Sequence, residues 1–465
     1  MLEFSDLQKI LFDTDRVFTE AEEEELYTIL HDLRNLLQHD EEYIAIVGRL
    51  LNYNDLKKEG FTKEQIKEFS EKDQEIIKFS GNLVEEHFKN DHEYMFGYPA
   101  NMMKDSYVTR HLRWLESRMY FTNSCGNAYC QGNYRMNNAK QELEIIEKVK
   151  ENLGLEKEDF WGYITMGGTE GNMWGIREGF SVYPDGKLYY SDAAHYSVSK
   201  MADMVDIDKY EKVGSTNEKI NVDELIGKIK KNYEENNTPA ILLLTFGTTT
   251  LGSIDDIDII CNKLNELQIP HYIHVDAALY GGIPKNQVNS PAEKFYLLNR
   301  TDINSISVSL HKYVGNPKSN GVLLSKTKSY QKFIDYIGSN DITFCGSRDF
   351  PTFSLLQRVE ELYSRSTPYE YEKNVKYFEK LLNDNDVYYI KGIDTGNVFI
   401  INKPSDEVCK KYQLASFTRD GIDYAHVIVF PYHSEEVMDE LINDLVKCKK
   451  EGIQRQRKDD NNGNN

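Results

Sequence analysis

The 465-residue sequence has no run of about 18 consecutive apolar residues, the minimum for a helix that crosses a membrane. It has no basic surplus either: 55 Lys and Arg stand against 76 Asp and Glu, a net charge of −21. Nucleic acid and anionic membrane surfaces are therefore not expected as partners, because both require basic faces. Cysteine is scarce and scattered: Cys125, Cys130, Cys261, Cys345, Cys409 and Cys448 include no CxxC pair. That excludes a disulfide framework and leaves the expectation of reduced thiols in a cytoplasmic protein. Cys125 and Cys130 have no companion His or Cys motif, so no metal site is expected. The opening MLEFSDLQKILFDTDR lacks a basic start followed by an apolar core, so no signal peptide is expected. No internal repeat is present, which sets aside solenoids and propellers.

What is present falls into three regions. The first 90 or so residues are rich in Glu and Lys at helical spacing. In Ala21 to Gln38, Leu26, Ile29, Leu30, Leu33 and Leu37 share one face behind an acidic first turn. Two more helices are expected near Thr62 to Phe69 and Gln74 to Phe88. Residues 95 to 135 read as a loop rich in Gly and Asn, of the kind that either lines a site or merely connects. From Ala139 onward helices alternate with short apolar strands. Helix Lys140 to Leu153 leads to strand Trp161 to Met166, and strands follow at Leu188 to Ser191, Ala240 to Phe246, His271 to Val275, Ser305 to Ser309 and Gly321 to Ser325. Such alternation predicts an α/β fold with a mostly parallel sheet covered on both faces. A helical stretch with a polar break is expected after Ser325. An α+β segment follows, with strands near Val387 to Ile390, Asn397 to Ile401 and His426 to Phe430 and helix Glu435 to Lys447. The boundaries are a helical N-terminal segment over 1–94, a large domain over 95–345, a small domain over 346–452 and a disordered tail over 453–465.

The chemistry-bearing residues sit at the ends of the predicted strands. SISVSLHKYVGNP places Lys312 directly after a β-branched run, with Ser309 and His311 beside it. HYIHVDAALYGG ends an apolar run with Asp276, where a solvated acid is unexpected; the carboxylate needs a cationic or donor partner, or serves as a helix cap or metal ligand. Ala278 is small enough for a flat ring to approach. GYITMGGTEGN is a strand, a glycine turn and a helix start, so Gly168 and Thr169 can offer N–H and hydroxyl donors to an anion. His195 follows a short strand and either stacks on a ring or caps a helix. Thr248 ends another strand, as a hydroxyl near Asp276 or as part of a polar turn. An amine for a Schiff base, a carboxylate for a pyridine nitrogen and a phosphate cradle are the requirements of a pyridoxal 5′-phosphate (PLP) enzyme.

With these motifs in place, the chain resembles the PLP-dependent group II amino-acid decarboxylases. It is most similar to the short branch with bacterial-type histidine decarboxylases and plant serine decarboxylases. FGYPAN, GNYRMNN, FWGYITMGGTEGNMWGI, PAILLLTFGTTTLGSIDDID, HVDAALYGG, SISVSLHKYVGNP, GSRDF and YAHVIVFP carry the resemblance, from about residue 95 through the C-terminal domain. It implies a type I PLP-dependent transferase fold working as a homodimer with sites at the subunit interface. It further implies that Lys312 holds the cofactor, Asp276 pairs with its ring nitrogen and His195 stacks on the ring. Gly168, Thr169, Ser309 and His311 would lie near the phosphate, and Thr248 and Ala278 would line the cofactor face. The implied reaction is loss of the α-carboxylate of an amino acid, histidine first and serine second. An aminotransferase, a lyase or a non-catalytic binding protein are the competing readings. Three positions depart from the branch pattern: Leu310 where a small residue is usual, NYRMNNA (Asn133 to Ala139) in place of an NYGVHSR-type segment, and SRDFP (Ser347 to Pro351) in place of an SRNGH-type one.

Overall fold

The computed structural model describes residues 94–102, 107–116, 123–130, 132–135, 137–203, 209–285, positions 291, 294, 295 and 298, and residues 301–329, 331–349, 351–364, 371–391 and 397–450. The helices expected before residue 90 and the tail expected over 453–465 lie outside the described residues.

Among the described residues two helices precede the main sheet, α1 (Tyr107–Glu116) and α2 (Ala139–Asn152). The first falls inside the stretch expected to be a loop. Its partner is remote in sequence: Glu116 accepts hydrogen bonds from the Phe353 and Ser354 N–H groups (2.5 and 2.9 Å) and so caps a later helix. No local pattern reveals that arrangement.

Seven strands form the main sheet: β1 (Trp161–Thr165), β2 (Lys187–Ser191), β3 (Tyr210–Val213), β4 (Ala240–Thr245), β5 (His271–Asp276), β6 (Ile303–Ser309) and β7 (Gly321–Ser325). Their spatial order is 3-2-4-5-6-7-1, and only β7 runs antiparallel to its neighbours. Every residue of β1, β4 and β7 is buried, as a sheet covered on both faces requires. The intervening helices are α3 (Gly168–Val182), α4 (Tyr196–Ala202), α5 (Val222–Asn236) and α6 (Ile257–Glu266).

Helix α3 carries Gly168, Gly171, Gly175 and Gly179 on one face. A Cβ at Gly171 would overlap Ser307 Oγ, one at Gly175 would overlap the His274 ring, and one at Gly179 would lie 2.7 Å from Ile241 Cγ2. Glycine therefore lets the helix backbone settle directly on β5 and β6. The free edge of β1 is closed by side chains. Gly162 N–H donates to the Tyr129 hydroxyl (3.0 Å) and Ile164 N–H to Glu142 Oε1 (2.9 Å), which removes an exposed ladder that another strand could join.

The stretch after Ser325 is not helical as expected. Lys332–Ile334 pairs antiparallel with Ser339–Asp341, and Gly338 turns the chain at φ +73°, a conformation that ends a helix. Helices resume with α7 (Thr352–Ser364) and α8 (Tyr371–Asp384). A four-stranded antiparallel sheet follows, built from β8 (Tyr389–Lys391), β9 (Val398–Asn402), β10 (Ala415–Arg419) and β11 (Ile422–Ile428) in the order 8-9-11-10, with α9 (Asp406–Lys411) and α10 (Glu435–Lys450). One continuous cluster of buried side chains joins both sheets, from Leu242 and Val275 to Phe378, Phe399 and Val427.

Candidate active site

Ligands of open α/β sheets sit beyond the carboxyl ends of the parallel strands. Here Asp276 is the last residue of β5, and Lys312 follows β6 by three residues. His195 caps α4 just after β2, and the Gly167–Gly168 turn links β1 to α3. The fold thus brings the four sequence-predicted motifs to one edge.

Lys312 is held by its backbone. Asn101 N–H donates to Lys312 O (2.7 Å) and Asn101 Nδ2 to Tyr313 O (2.9 Å). Leu310 N–H donates to Asn320 O (2.8 Å), and His311 Nδ1–H reaches the same carbonyl (3.0 Å). Leu310 itself is fully buried in the core, which accounts for a large residue at that position. The Lys312 amine makes no hydrogen bond among the described residues. Loss of hydration lowers its pKa, with Asp276 opposing, so a neutral nucleophilic amine is easier to reach than at a surface lysine.

Asp276 is 4% exposed. Its Oδ2 accepts from Asn172 Nδ2 (2.7 Å) and its Oδ1 from Ala278 N–H (3.1 Å). His195 Nδ1 accepts from Ser197 N–H (3.3 Å), which leaves Nε2 to carry the proton of the neutral ring. Burial lowers the His195 pKa, Lys312 lowers it further, and Asp276 opposes both. His311 is also shifted down, chiefly by burial.

The turn between β1 and α3 is close-fitting. Gly167 adopts φ +142°, open to glycine and strained for other residues. Gly168 N–H donates to Ser309 Oγ (3.2 Å). A Cβ at Gly168 would lie 2.8 Å from Ser309 Oγ and 2.9 Å from Ala278 Cβ, so a side chain would fill the cradle. Thr169 is exposed on the first turn of α3. An unbonded amine, a carboxylate that only accepts and a glycine cradle at a helix N-terminus fit PLP at its aldehyde, ring and phosphate ends.

Thr248 is buried, and its hydroxyl donates to Glu218 Oε2 (2.6 Å), not toward Asp276. Glu218 also accepts from Leu251 N–H (2.8 Å) and pairs with Arg419 at 3.5 Å. In the departing segments, Asn133 donates to Asp335 O (3.1 Å), and Asn137 to Tyr134 O (3.2 Å). Arg348 is 1% exposed and pairs with Glu142 at 3.1 Å, so its charge is spent inside the protein. These segments line a cavity of about 340 Å³, with Cys125, Tyr129, Tyr134, Ser339 and Arg348 in its wall. None of the residues assigned to the Lys312 site lies in that wall.

Sequence reasoning missed Asn172, His274, Ser307 and Asn101. A signal existed for two of them. Strand residues two apart share a face, so His274 accompanies Asp276, and Ser305 and Ser307 accompany Ser309.

A 3-2-4-5-6-7-1 sheet with a lysine, an aspartate and a glycine turn at its carboxyl edge defines a type I-fold PLP-dependent enzyme. Residues 181–355 match the pyridoxal-dependent decarboxylase conserved domain. The chain is 32% identical to a histidine decarboxylase of Pseudomonas entomophila, over 78% of this chain and 88% of that protein. It is 30% identical to serine decarboxylase 2 of Oryza sativa subsp. japonica, over 83% and 81%. The L-methionine decarboxylase of Streptomyces sp.590 shares the fold, with a TM-score of 0.67 at 20% identity over 79% of this chain and 93% of that one. The chain belongs to the group II PLP-dependent decarboxylase family. It is an amino-acid carboxy-lyase that uses PLP. No helix among the described residues is long and apolar enough to cross a membrane.

Proposed function

We propose that this enzyme removes the α-carboxylate of a polar L-amino acid, histidine in the first place and serine in the second, releasing CO₂ and a primary amine. The observation that carries the site assignment is the convergence of Lys312, Asp276 and the Gly168 cradle on one sheet edge. The preference for histidine and serine rests on likeness to decarboxylases of those two substrates over most of both chains.

Bound PLP supplies an electron sink for the charge left at Cα when CO₂ departs. Lys312, its pKa lowered by burial, holds the cofactor and afterwards is placed to carry a proton on Nζ. Asp276 balances a protonated ring nitrogen, and two received hydrogen bonds fix its orientation. His195 presents a neutral ring to one face, and Ala278 closes the other. Gly168, Thr169, Ser309 and His311 surround the phosphate. Thr248 would line the cofactor face with its hydroxyl held by Glu218. The working form is a cytoplasmic homodimer with sites at the subunit interface.

The decisive experiment is a CO₂-release screen of the PLP-loaded enzyme across the twenty amino acids. Release from histidine, with serine as the next best, is expected. Activity confined to leucine, valine or phenylalanine would overturn the substrate reading. A keto acid formed without CO₂ would point to amino-group transfer instead.

A further inference from the structure

The face of the sheet beneath α3 carries a buried polar chain that the reaction as described does not use. Tyr272, His274 and Asp276 alternate along β5 and face the same side as Ser305 on β6. Tyr272 OH donates to Ser305 Oγ (2.8 Å), and Ser305 Oγ lies 2.7 Å from His274 Nδ1. His274 Nε2 lies 3.0 Å from Asn172 Oδ1, and Asn172 Nδ2 donates to Asp276 Oδ2 (2.7 Å). Tyr272, His274 and Ser305 are 0% exposed, Asn172 2% and Asp276 4%.

The proton positions follow from the ends of this chain. A carboxylate only accepts, so Asn172 must turn its amide nitrogen to Asp276 and its oxygen to His274. His274 must then donate from Nε2 and accept the Ser305 hydroxyl proton at Nδ1. Burial holds the ring neutral, with a pKa near 4. Every hydrogen bond therefore points the same way, from Tyr272 to Asp276. The chain forms only because Gly175 leaves room for the His274 ring and Gly171 for the adjacent Ser307.

We propose that Asn172 and His274 are positioning residues that aim Asp276 at the cofactor ring nitrogen and supply it with donors only. This rests on the reading of Asp276 given above. Aligned hydrogen bonds in a water-free interior polarise one another, and a bond to a charged acceptor is among the strong ones. The chain fastens Oδ2, while Oδ1 accepts from Ala278 N–H and keeps acceptor capacity for a ring N–H.

The test compares Asn172→Leu, Ser305→Ala and Asp276→Asn with the parent enzyme. The readouts are the PLP dissociation constant, the visible absorbance of the bound cofactor as a function of pH, and the melting temperature of the apoenzyme. Asn172→Leu should weaken PLP binding by about tenfold to a hundredfold, the value of one charge-assisted hydrogen bond. It should also shift the pH at which the absorbance changes, and kcat should fall more than KM rises. Ser305→Ala should act in the same direction and less. If Asn172→Leu melts like the parent and keeps its PLP affinity and absorbance profile, the positioning role is wrong. If Asp276→Asn is also without effect, the reading of Asp276 fails with it. Should Asn172→Leu not fold, ¹⁵N NMR of His274 in the parent apoenzyme decides. A proton on Nε2 supports the chain, and one on Nδ1 overturns it.

Discussion

At the scale of single residues, Lys312 and the buried histidines allow the sharpest tests. Lys312→Ala should lower kcat by at least about a thousandfold while circular dichroism stays unchanged, because the proposed role of the lost group is that of a nucleophile and not of a packing element. Steady-state turnover at the parent rate would refute its role. His274 and His433 have pKa values pushed down by burial, to about 4 and about 3. The ordinary value is near 6.5, so the unfolded chain binds more protons than the native one between those limits. Stability is then full above about pH 7 and is lost as pH falls through 6.5, toward 4 for His274 and toward 3 for His433, by roughly 3 and 5 kcal/mol. His433 stacks on Phe96 at 3.9 Å and receives the Phe430 N–H, far from any charge chemistry. His433→Gln should melt lower at pH 7.5 but show a shallower decline between pH 6.5 and 4.5. Parallel melting curves for parent and variant across that range would remove His433 from the account.

At the scale of elements, α2 packs on the sheet through Ile145, Ile146 and Val149 and is tied to the sheet edge by a buried ion pair. Glu142 on α2 accepts from Ile164 N–H of β1 and pairs with Arg348, which also donates to Gly126 O at 3.2 Å. Arg348→Ala would leave a buried carboxylate without its cation. We expect a loss of about 3–5 kcal/mol in urea unfolding, as for other broken buried pairs. Glu142→Gln combined with Arg348→Met keeps an acceptor for Ile164 and removes both charges, so it should recover much of that loss. A double variant no more stable than Arg348→Ala would show that shape, not charge balance, dominates. The glycine face of α3 belongs to this scale as well: GGTEGN was legible as a turn and helix start, but the reason for Gly171 and Gly175 appears only when β5 and β6 lie beneath them.

For the whole molecule, the proposed homodimer is the property most open to a direct check. Sedimentation of the PLP-loaded enzyme should give a dimer, with activity falling in step with dissociation on dilution. A fully active monomer would overturn the interface reading. Removal of residues 1–90 asks whether the acidic N-terminal segment takes part. Unchanged dimerisation after that deletion would assign assembly to the remaining chain.

The alternation of short apolar strands with amphipathic helices was enough by itself to determine an α/β fold with a parallel sheet, because the 2.0 and 3.6 periodicities are local. The positions of Lys312, Asp276, His195 and the Gly168 turn at strand ends were legible for a related reason: each interrupts or ends such a run, where sheets of this kind bind ligands. Tertiary structure alone decided the partners. Arg348 lies in the SRDFP segment that departs from the branch pattern, and its charge is consumed by Glu142, 206 residues away in sequence. Thr248 is turned to Glu218, and the stretch after Ser325 is a ribbon, not a helix. The link from His274 through Asn172 to Asp276 spans 102 and 104 residues of sequence. A buried hydrogen bond is set by the direction of a side chain and the distance between packed elements, and neither quantity is written in local spacing.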